Sequence, residues 1–180
     1  MFKKTLPATE RFDDMRNIFV KREETVIELE HSLLSVSKWE EHYKKPFLTE
    51  AEKSDEEELY YILCMDTRGD LTFETVRTLS ISELREIKAY IEDSHTATTF
   101  TNRDRQSRGR NEIMTSEVIY YTMIALEIPF ECQTWNLNRL FTLIRVCSIK
   151  NNPKKMGMKD ILKSNHSLNA ARRAAMGSRG

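Results

Sequence analysis

The 180-residue sequence predicts a mostly α fold: a single helical domain with a small β element in the N-terminal third and a basic, mobile C-terminal tail. Two capping boxes and several apolar stripes at helical spacing favour helices, because these features mark helix starts and core-facing helix sides. A composition of 39% hydrophobic and 31% charged residues is typical of a globular domain with one core. We therefore expect an N-terminal arm over residues 1–20, the helical domain over 21–150 and the tail over 151–180.

The β element is predicted over residues 25–30. In TVIELEH, apolar and polar residues alternate with Ile27 and Leu29 on one side, which is the two-residue period of a half-buried strand. A helix is expected to follow from about Ser32. Residues 96–101, TATTFT, are short and β-branched, so a second strand pairing with 25–30 is a further expectation.

Two further helices are indicated by capping boxes. Ser54 with Glu57 precedes DEEELYYILC, and Ser80 with Glu83 precedes ISELREIKAYIE. The acidic first turn of the former complements the helix dipole. In the latter helix, one apolar stripe at helical spacing is formed by Leu84, Ile87 and Ile91.

Helices are expected to resume after an exposed loop over residues 102–111, which contains four Arg and no apolar residue. Thr115 is the candidate N-cap of the next helix, and Pro129 interrupts the helical pattern. Thr134 is the candidate N-cap of the last helix of the domain, which ends at NNPKK, residues 151–155.

The last predicted helix is apolar around most of its circumference. One stripe comprises Leu137, Leu140, Phe141, Ile144 and Cys147. On the opposite side lie Trp135, Val146 and Ile149, with Arg139 on a flank. A helix that is apolar all round is either central in the fold or partly reserved for another chain. These four opposite-side and flank residues are therefore candidates for partner binding.

An aromatic line is predicted on the helix that starts near Ser32. Trp39, Tyr43 and Phe47 are spaced by four residues, so they share one side if the helix continues to Lys45. In one interpretation the three rings attach this helix to the core. In the other they form a docking groove for an apolar helix, which makes them partner-binding candidates.

The residues indicate neither catalysis nor a cofactor. Glycine-rich nucleotide-binding motifs, HExxH, GxSxG and the kinase signatures are absent from the sequence. His31 and His42 have glutamates nearby, but such a segment is more typical of a solvated helix face than of a metal site. Cys64, Cys132 and Cys147 lie among apolar neighbours and are interpreted as reduced core thiols.

Charge is unevenly distributed, although the net charge of the chain is zero. Residues 151–180 contain seven Lys or Arg against Asp160 alone, so they carry +6 and residues 1–150 carry −6. Candidate contacts for phosphate or an acidic partner are Lys154, Lys155, Lys159, Lys163, Arg172 and Arg173. Without interleaved aromatic residues, this pattern makes a nucleic acid an unfavoured partner. No apolar run approaches the roughly 18 residues of a membrane span, so no membrane partner is expected.

Several segments, taken together and in order, resemble a family of small tailed-bacteriophage proteins, the tail assembly chaperones. The matching segments are LEHSLLSVSKWEEHYKKPFL, ELYYILCM, TATTF and TSEVIYYTMIALEIPFECQTWNLNRLFTLIRVCSIKN, which span most of residues 25–155. The resemblance implies a non-enzymatic protein that acts in the host cytoplasm. It also implies that the protein, in several copies, binds the tape measure protein or other tail proteins during tail morphogenesis.

Two alternative functions remain open on the sequence. The protein could be a structural component kept in the tail or neck of the mature virion. It could also be an accessory protein that binds nucleic acid through its basic tail, residues 151–180. Homo-oligomerisation is compatible with each of these functions.

Overall fold

The computed structural model describes residues 1–13, 17–49, 51–100 and 113–151, which form a mostly α structure with two small antiparallel sheets. The strands are β1 (Phe2–Leu6), β2 (Thr9–Asp13), β3 (Ile18–Arg22) and β4 (Thr25–Leu29). The helices are α1 (Leu33–Tyr43), α2 (Asp55–Cys64), α3 (Phe73–Arg77), α4 (Ile81–Glu92), α5 (Ser116–Ala125) and α6 (Leu137–Asn151). A 3-10 helix (Phe130–Thr134) lies between α5 and α6. The predicted helical class is confirmed.

The N-terminal arm over residues 1–20 contains strands, which its weakly patterned sequence did not predict. β1 pairs antiparallel with β4, with Phe2 opposite Leu29 and Leu6 opposite Thr25. β2 and β3, which lie between β1 and β4 in the sequence, pair antiparallel with each other. Leu6 and Leu29 are both completely buried. On β1, Leu6 is buried and Phe2 and Lys4 are half-buried, so alternate residues of the strand face inward although two lysines lie between its apolar residues.

β4 lies where the alternating pattern predicted a strand, and its Ile27 is buried. Its partner is β1, and the expected pairing with residues 96–101 is wrong. The described residues 96–100 belong to neither a helix nor a strand, and residue 101 lies outside the described residues. β-branched composition favours extended backbone but does not select a pairing partner.

The predicted helix starts are confirmed at four positions. Ser32, Ser54 and Ser80 each accept a hydrogen bond from the backbone N–H three residues later, and each makes a complete capping box. Thr115 accepts in the same way from the N–H of Val118. These caps satisfy backbone donors that the first helical turn leaves without partners, so they fix where α1, α2, α4 and α5 begin.

Thr134 is not the N-cap of α6, contrary to the prediction. It belongs to the 3-10 helix, where its hydroxyl donates to the carbonyl of Glu131. Asn136 performs the capping role, because its side-chain oxygen accepts from the N–H of Asn138. Asn and Thr are both good caps, so the local pattern did not distinguish between positions 134 and 136.

The core is centred on α1, which contacts α2, α5 and the 3-10 helix. The largest completely or almost completely buried side chains include Leu33, Val36, Trp39, Met65, Ile87, Ile119, Met123, Leu137 and Leu140. The predicted stripe of α6 thus supplies Leu137 and Leu140 to the core. Met1–Val146 forms one compact unit, and the described residues 147–151 at the end of α6 belong to a second.

A buried ion pair fixes the start of α4 relative to the strands. The Arg22 guanidinium donates to Glu83 across 3.2 Å, to the Pro7 carbonyl and to Thr78, and its side chain is 3% exposed. Burial alone would raise the pKa of Glu83, but hydrogen bonds from Ser80 and the nearby Arg22 charge hold it below its ordinary value. Glu83 therefore remains ionised while it caps and anchors α4.

A second buried carboxylate connects α1 with two later segments. Glu40 is 8% exposed, and its two oxygens accept hydrogen bonds from the N–H groups of Phe47 and Ser116, at 2.8 and 2.7 Å. Because Ser116 is the first residue of α5, the carboxylate also lies at the positive end of that helix dipole. Glu40 thus positions Phe47, which contributes to the groove described next.

Candidate functional site: an apolar groove between α2 and α4

α2 and α4 line an open groove of about 580 Å³, whose base and walls are mainly apolar. The base is formed by buried side chains, namely Tyr61, Ile62 and Ile87. The walls are formed by half-buried side chains, namely Phe47, Leu59, Leu84 and Ile91. The groove therefore exposes apolar wall side chains to solvent, while the side chains at its base stay buried.

Both helices contribute to the groove at helical spacing. On α4 the predicted stripe of Leu84, Ile87 and Ile91 lines it, and Ile81 extends the stripe by one turn. Ile81 is 70% exposed, so it forms a lip rather than part of the core. On α2 the lining residues Leu59 and Ile62 are three apart. The resulting channel follows roughly 17 Å of α4, the length of a helix of about three turns.

Charged side chains lie on the two rims. The α2 rim has the acidic Asp55 and Glu58, and the α4 rim has the basic Arg85 and Lys88. All four side chains are exposed. Among the described residues, none of the four takes part in an ion pair, since the pairs found join other residues. We call this arrangement the opposed rims.

An aromatic contact joins one wall of the groove to its base. The Phe47 ring lies 4.1 Å from that of Tyr61, between ring centres, and 5.1 Å from that of Trp39. The ammonium of Lys53 lies 4.5 Å from the Phe47 ring centre, a cation–π distance. Lys53 is thus held against the protein, whereas the charges of the opposed rims face solvent.

The polar atom at the base of the groove has a partner within the fold. The Tyr61 hydroxyl is hydrogen-bonded to Nδ1 of His31. Burial raises the pKa of Tyr61 well above its ordinary value and lowers the pKa of His31 to about 4. Both groups are therefore neutral near pH 7. A ligand in the groove would meet apolar atoms at the base and charges only at the rims.

The aromatic line predicted on α1 is divided by the structure. Trp39 is 2% exposed, and its indole N–H donates to the Glu57 carbonyl at 3.0 Å, so it attaches α1 to α2. Tyr43 is half-buried against Trp39 and Tyr60. Phe47 follows the helix, because Lys44 adopts a left-handed conformation that ends α1. Of the three rings, Phe47 alone lines the groove.

The other predicted partner-binding residues lie away from the groove lining. Trp135 is 36% exposed, and the Arg139 guanidinium lies 4.4 Å from its ring centre. Val146 is half-buried, and Ile149 is exposed. The basic residues predicted to contact phosphate or an acidic partner lie outside the described residues: Lys154, Lys155, Lys159, Lys163, Arg172 and Arg173. The arginine-rich loop also lies outside them.

A shallower cleft of about 500 Å³ lies beside α1, with His42 stacked on Tyr60 at 4.2 Å between ring centres. Cys64 also lines it, and burial raises the pKa of this thiol to about 11, which disfavours the reactive thiolate. Across the described ranges, no group of three His, Cys, Asp or Glu side chains could hold a metal ion. Cys64 and Cys132 are buried, as predicted, whereas Cys147 is only half-buried.

Sequence reasoning identified one wall of the groove but not the site. The stripe on α4 was recognised, yet it was not paired with the similar face of α2. Ile81 was recognisable as a groove residue from the sequence. It directly follows the N-cap Ser80 and lies one turn before the apolar stripe, where a large apolar side chain has little to pack against. The opposite signs of the two rims can also be recognised in the sequence once α2 and α4 are placed side by side, from Asp55, Glu58, Arg85 and Lys88.

No protein-family model, curated protein or solved structure matches the chain. Within the part of the chain that the structure describes, no helix combines the length and the apolar character needed to cross a membrane.

Proposed function

We propose that this protein is a non-enzymatic tail assembly chaperone that holds an apolar helical segment of a tape measure protein in the groove between α2 and α4. The observation that carries the proposal is the groove: two neighbouring helices present apolar stripes to solvent, and charged residues border them. An amphipathic helix laid into such a groove buries its own apolar stripe. A long helical client with exposed apolar stripes needs this kind of cover before it assembles.

The expected binding strength suits a temporary complex. Burying roughly 600 Å² of apolar surface at about 25 cal/mol/Å² gives on the order of 15 kcal/mol before the costs of association. Lost translational freedom and side-chain ordering remove much of this free energy. The remaining affinity is moderate and reversible, and a chaperone must release its client when the tail tube forms. We place this action in the host cytoplasm.

The composition of the groove favours a polypeptide over a small polar substrate. Its one polar base atom, the Tyr61 hydroxyl, is already bonded to His31. Polar groups that converge on the base would be needed to orient a small molecule or to take part in a reaction. Apolar side chains of a helix need no such groups.

Co-expression tests the proposal. Helical fragments of the tape measure protein encoded in the same genome should stay in the soluble fraction with wild-type protein and precipitate with the Leu84→Asp variant. The matched control is Leu34→Asp, because Leu34 is also a helical leucine, is 38% exposed and does not line the groove. If fragments are equally insoluble with and without the wild-type protein, the proposal fails.

A second candidate function, a structural component of the mature virion, is favoured by the outer face of α5. There Tyr121 is 71% exposed and Ile124 is 60% exposed, three residues apart on one side of the helix. An apolar face of this kind suits a permanent contact with another copy or another tail protein. Mass spectrometry of purified virions separates the two functions, since a chaperone that departs should be far below stoichiometric amounts.

A further inference from the structure

The opposed rims carry charges of opposite sign on the two sides of one groove. Asp55 and Glu58 are acidic residues of α2 separated by three positions, and Arg85 and Lys88 are basic residues of α4 with the same separation. Residues three apart lie on the same face of a helix, so each pair forms a short row of one sign along its rim.

These four charges form no ion pair with the described residues of the fold. Other charged residues nearby are paired, including Glu57 with Lys45 at 2.8 Å and Glu56 with Arg77 at 3.8 Å. The four charges of the opposed rims are exposed and have no ion pair among the described residues. The apolar groove keeps the two rows apart, so both remain available to a bound chain.

The ends of the groove do not repeat this pattern. Lys53 lies before α2 and is held over the ring of Phe47. Glu92 is the last residue of α4 and lies beyond the row formed by Arg85 and Lys88. Arg85 and Lys88 lie in the middle turns of α4, and Asp55 and Glu58 lie in the first turn of α2, so the opposition of sign comes from these two rows.

We propose that the groove selects a helix whose apolar stripe has basic residues along one flank and acidic residues along the other. The basic flank lies against Asp55 and Glu58, and the acidic flank lies against Arg85 and Lys88. This inference rests on the proposed docking of a helix and adds the charge pattern of the client. Since turning the helix end for end exchanges its flanks, the opposed rims also set the direction in which it lies.

Three synthetic helical peptides test this proposal. All carry the same stripe of four leucines; one has Lys on one flank and Glu on the other, one has Lys on both flanks, and one has Glu on both flanks. A hydrocarbon staple on the solvent face keeps their helicity equal. At low ionic strength the mixed peptide should bind at least about tenfold more tightly than either uniform peptide, which corresponds to 1.4 kcal/mol.

Two further measurements use the same peptides. In 1 M salt, where the Debye length falls to about 3 Å, the preference should largely disappear while binding through the stripe persists. The double variant Arg85→Glu/Lys88→Glu makes both rims acidic, and it should prefer the peptide with Lys on both flanks. The control variant Lys38→Glu/Lys44→Glu changes two exposed lysines outside the groove and should keep the preference for the mixed peptide.

The outcomes distinguish the docking of a helix from the selection of its charge pattern. If all three peptides bind equally and Leu84→Asp abolishes their binding, the groove does bind a helix but the rims do not select its charge, and this inference is overturned. If none of the peptides binds at millimolar concentration, the docking of a helix fails as well. A mixed-peptide preference that reverses in the double variant supports both.

Discussion

The two sides of α2, one facing α1 and the other facing α4, differ in how completely they are covered. On the side facing α1, Trp39 is buried and its indole N–H is bonded to the backbone of Glu57. On the side facing α4, Leu59 is only half-buried and Ile81 across the groove is 70% exposed. One side is sealed by packing and a directed hydrogen bond, and the other is left apolar and open.

The difference teaches that apolar content does not by itself identify a binding surface. The sealed side has its polar atoms bonded within the protein, and the large Trp39 ring fills the space between the helices. Among the described side chains at the base of the open side, the polar atom is the Tyr61 hydroxyl, which is bonded to His31, and the charges lie at the rims. The groove can therefore release a ligand without leaving buried polar atoms unpaired.

The largest effect expected from breaking this contrast is at Trp39. Trp39→Ala should destabilise the protein by about 3–5 kcal/mol, because it empties a buried volume and removes a hydrogen bond. Ile81→Ala, on the open side, should change stability by no more than about 0.5 kcal/mol. Urea unfolding monitored by circular dichroism measures both. Equal effects of the two changes would contradict the distinction between a sealed and an open side.

The next largest effect is the pH dependence of stability that comes from His31, which is hydrogen-bonded to Tyr61 at the base of the groove. The pKa of His31 is lowered from 6.5 to about 4, mainly by burial, with Glu30 opposing this shift and His95 adding to it. Between these values the unfolded chain binds a proton that the folded chain does not. Stability should therefore fall as the pH drops from 6.5, by about 2 kcal/mol at pH 5 and about 3 kcal/mol at pH 4.

Unfolding free energies measured between pH 7 and 5 check this dependence, since the carboxylates with lowered pKa values titrate mainly below that interval. His31→Gln should flatten the slope there. His42→Gln changes an exposed histidine and should keep the slope of the wild type. A slope that survives in His31→Gln would show that the buried pair is not its source.

A smaller effect is expected at the carboxylate that positions Phe47. Glu40→Ala leaves the N–H groups of Phe47 and Ser116 without their acceptor and should cost about 2 kcal/mol. Glu41→Ala is the matched control, because Glu41 is the exposed neighbour. Thermal unfolding compares them. Two equal melting temperatures would show that the buried acceptor contributes nothing beyond its exposed neighbour.

Features encoded within a few residues could be predicted from the sequence. The starts of α2 and α4 follow from Ser54 and Ser80, whose caps depend only on residues in the next turn. Pairing over longer distances could not be predicted in the same way. β1 and β4 pair with Leu6 opposite Thr25, although a hairpin separates the two strands in the sequence. Neither strand contains a local pattern that predicts the other as its partner.

The groove lies between these two cases. The stripe of Leu84, Ile87 and Ile91 was visible in the sequence, but whether a stripe is sealed depends on what another element brings to it. Trp39 and Phe47 illustrate this dependence, since both were read as one line and only Phe47 reaches the groove. Lys44 lies between them and ends α1 in the left-handed conformation. Glycine is the usual residue in that conformation, so a lysine there gives no local sequence pattern that predicts the helix end.

Methyl NMR with the mixed-flank peptide tests the central claim most directly, because it asks which apolar side chains meet a bound helix. The account predicts that resonances of Leu59, Ile81, Leu84 and Ile91 shift on titration, while those of Val36 and Met123 in the core do not. Shifts confined to Ile124 on the outer face of α5, with the groove resonances unchanged, would contradict it.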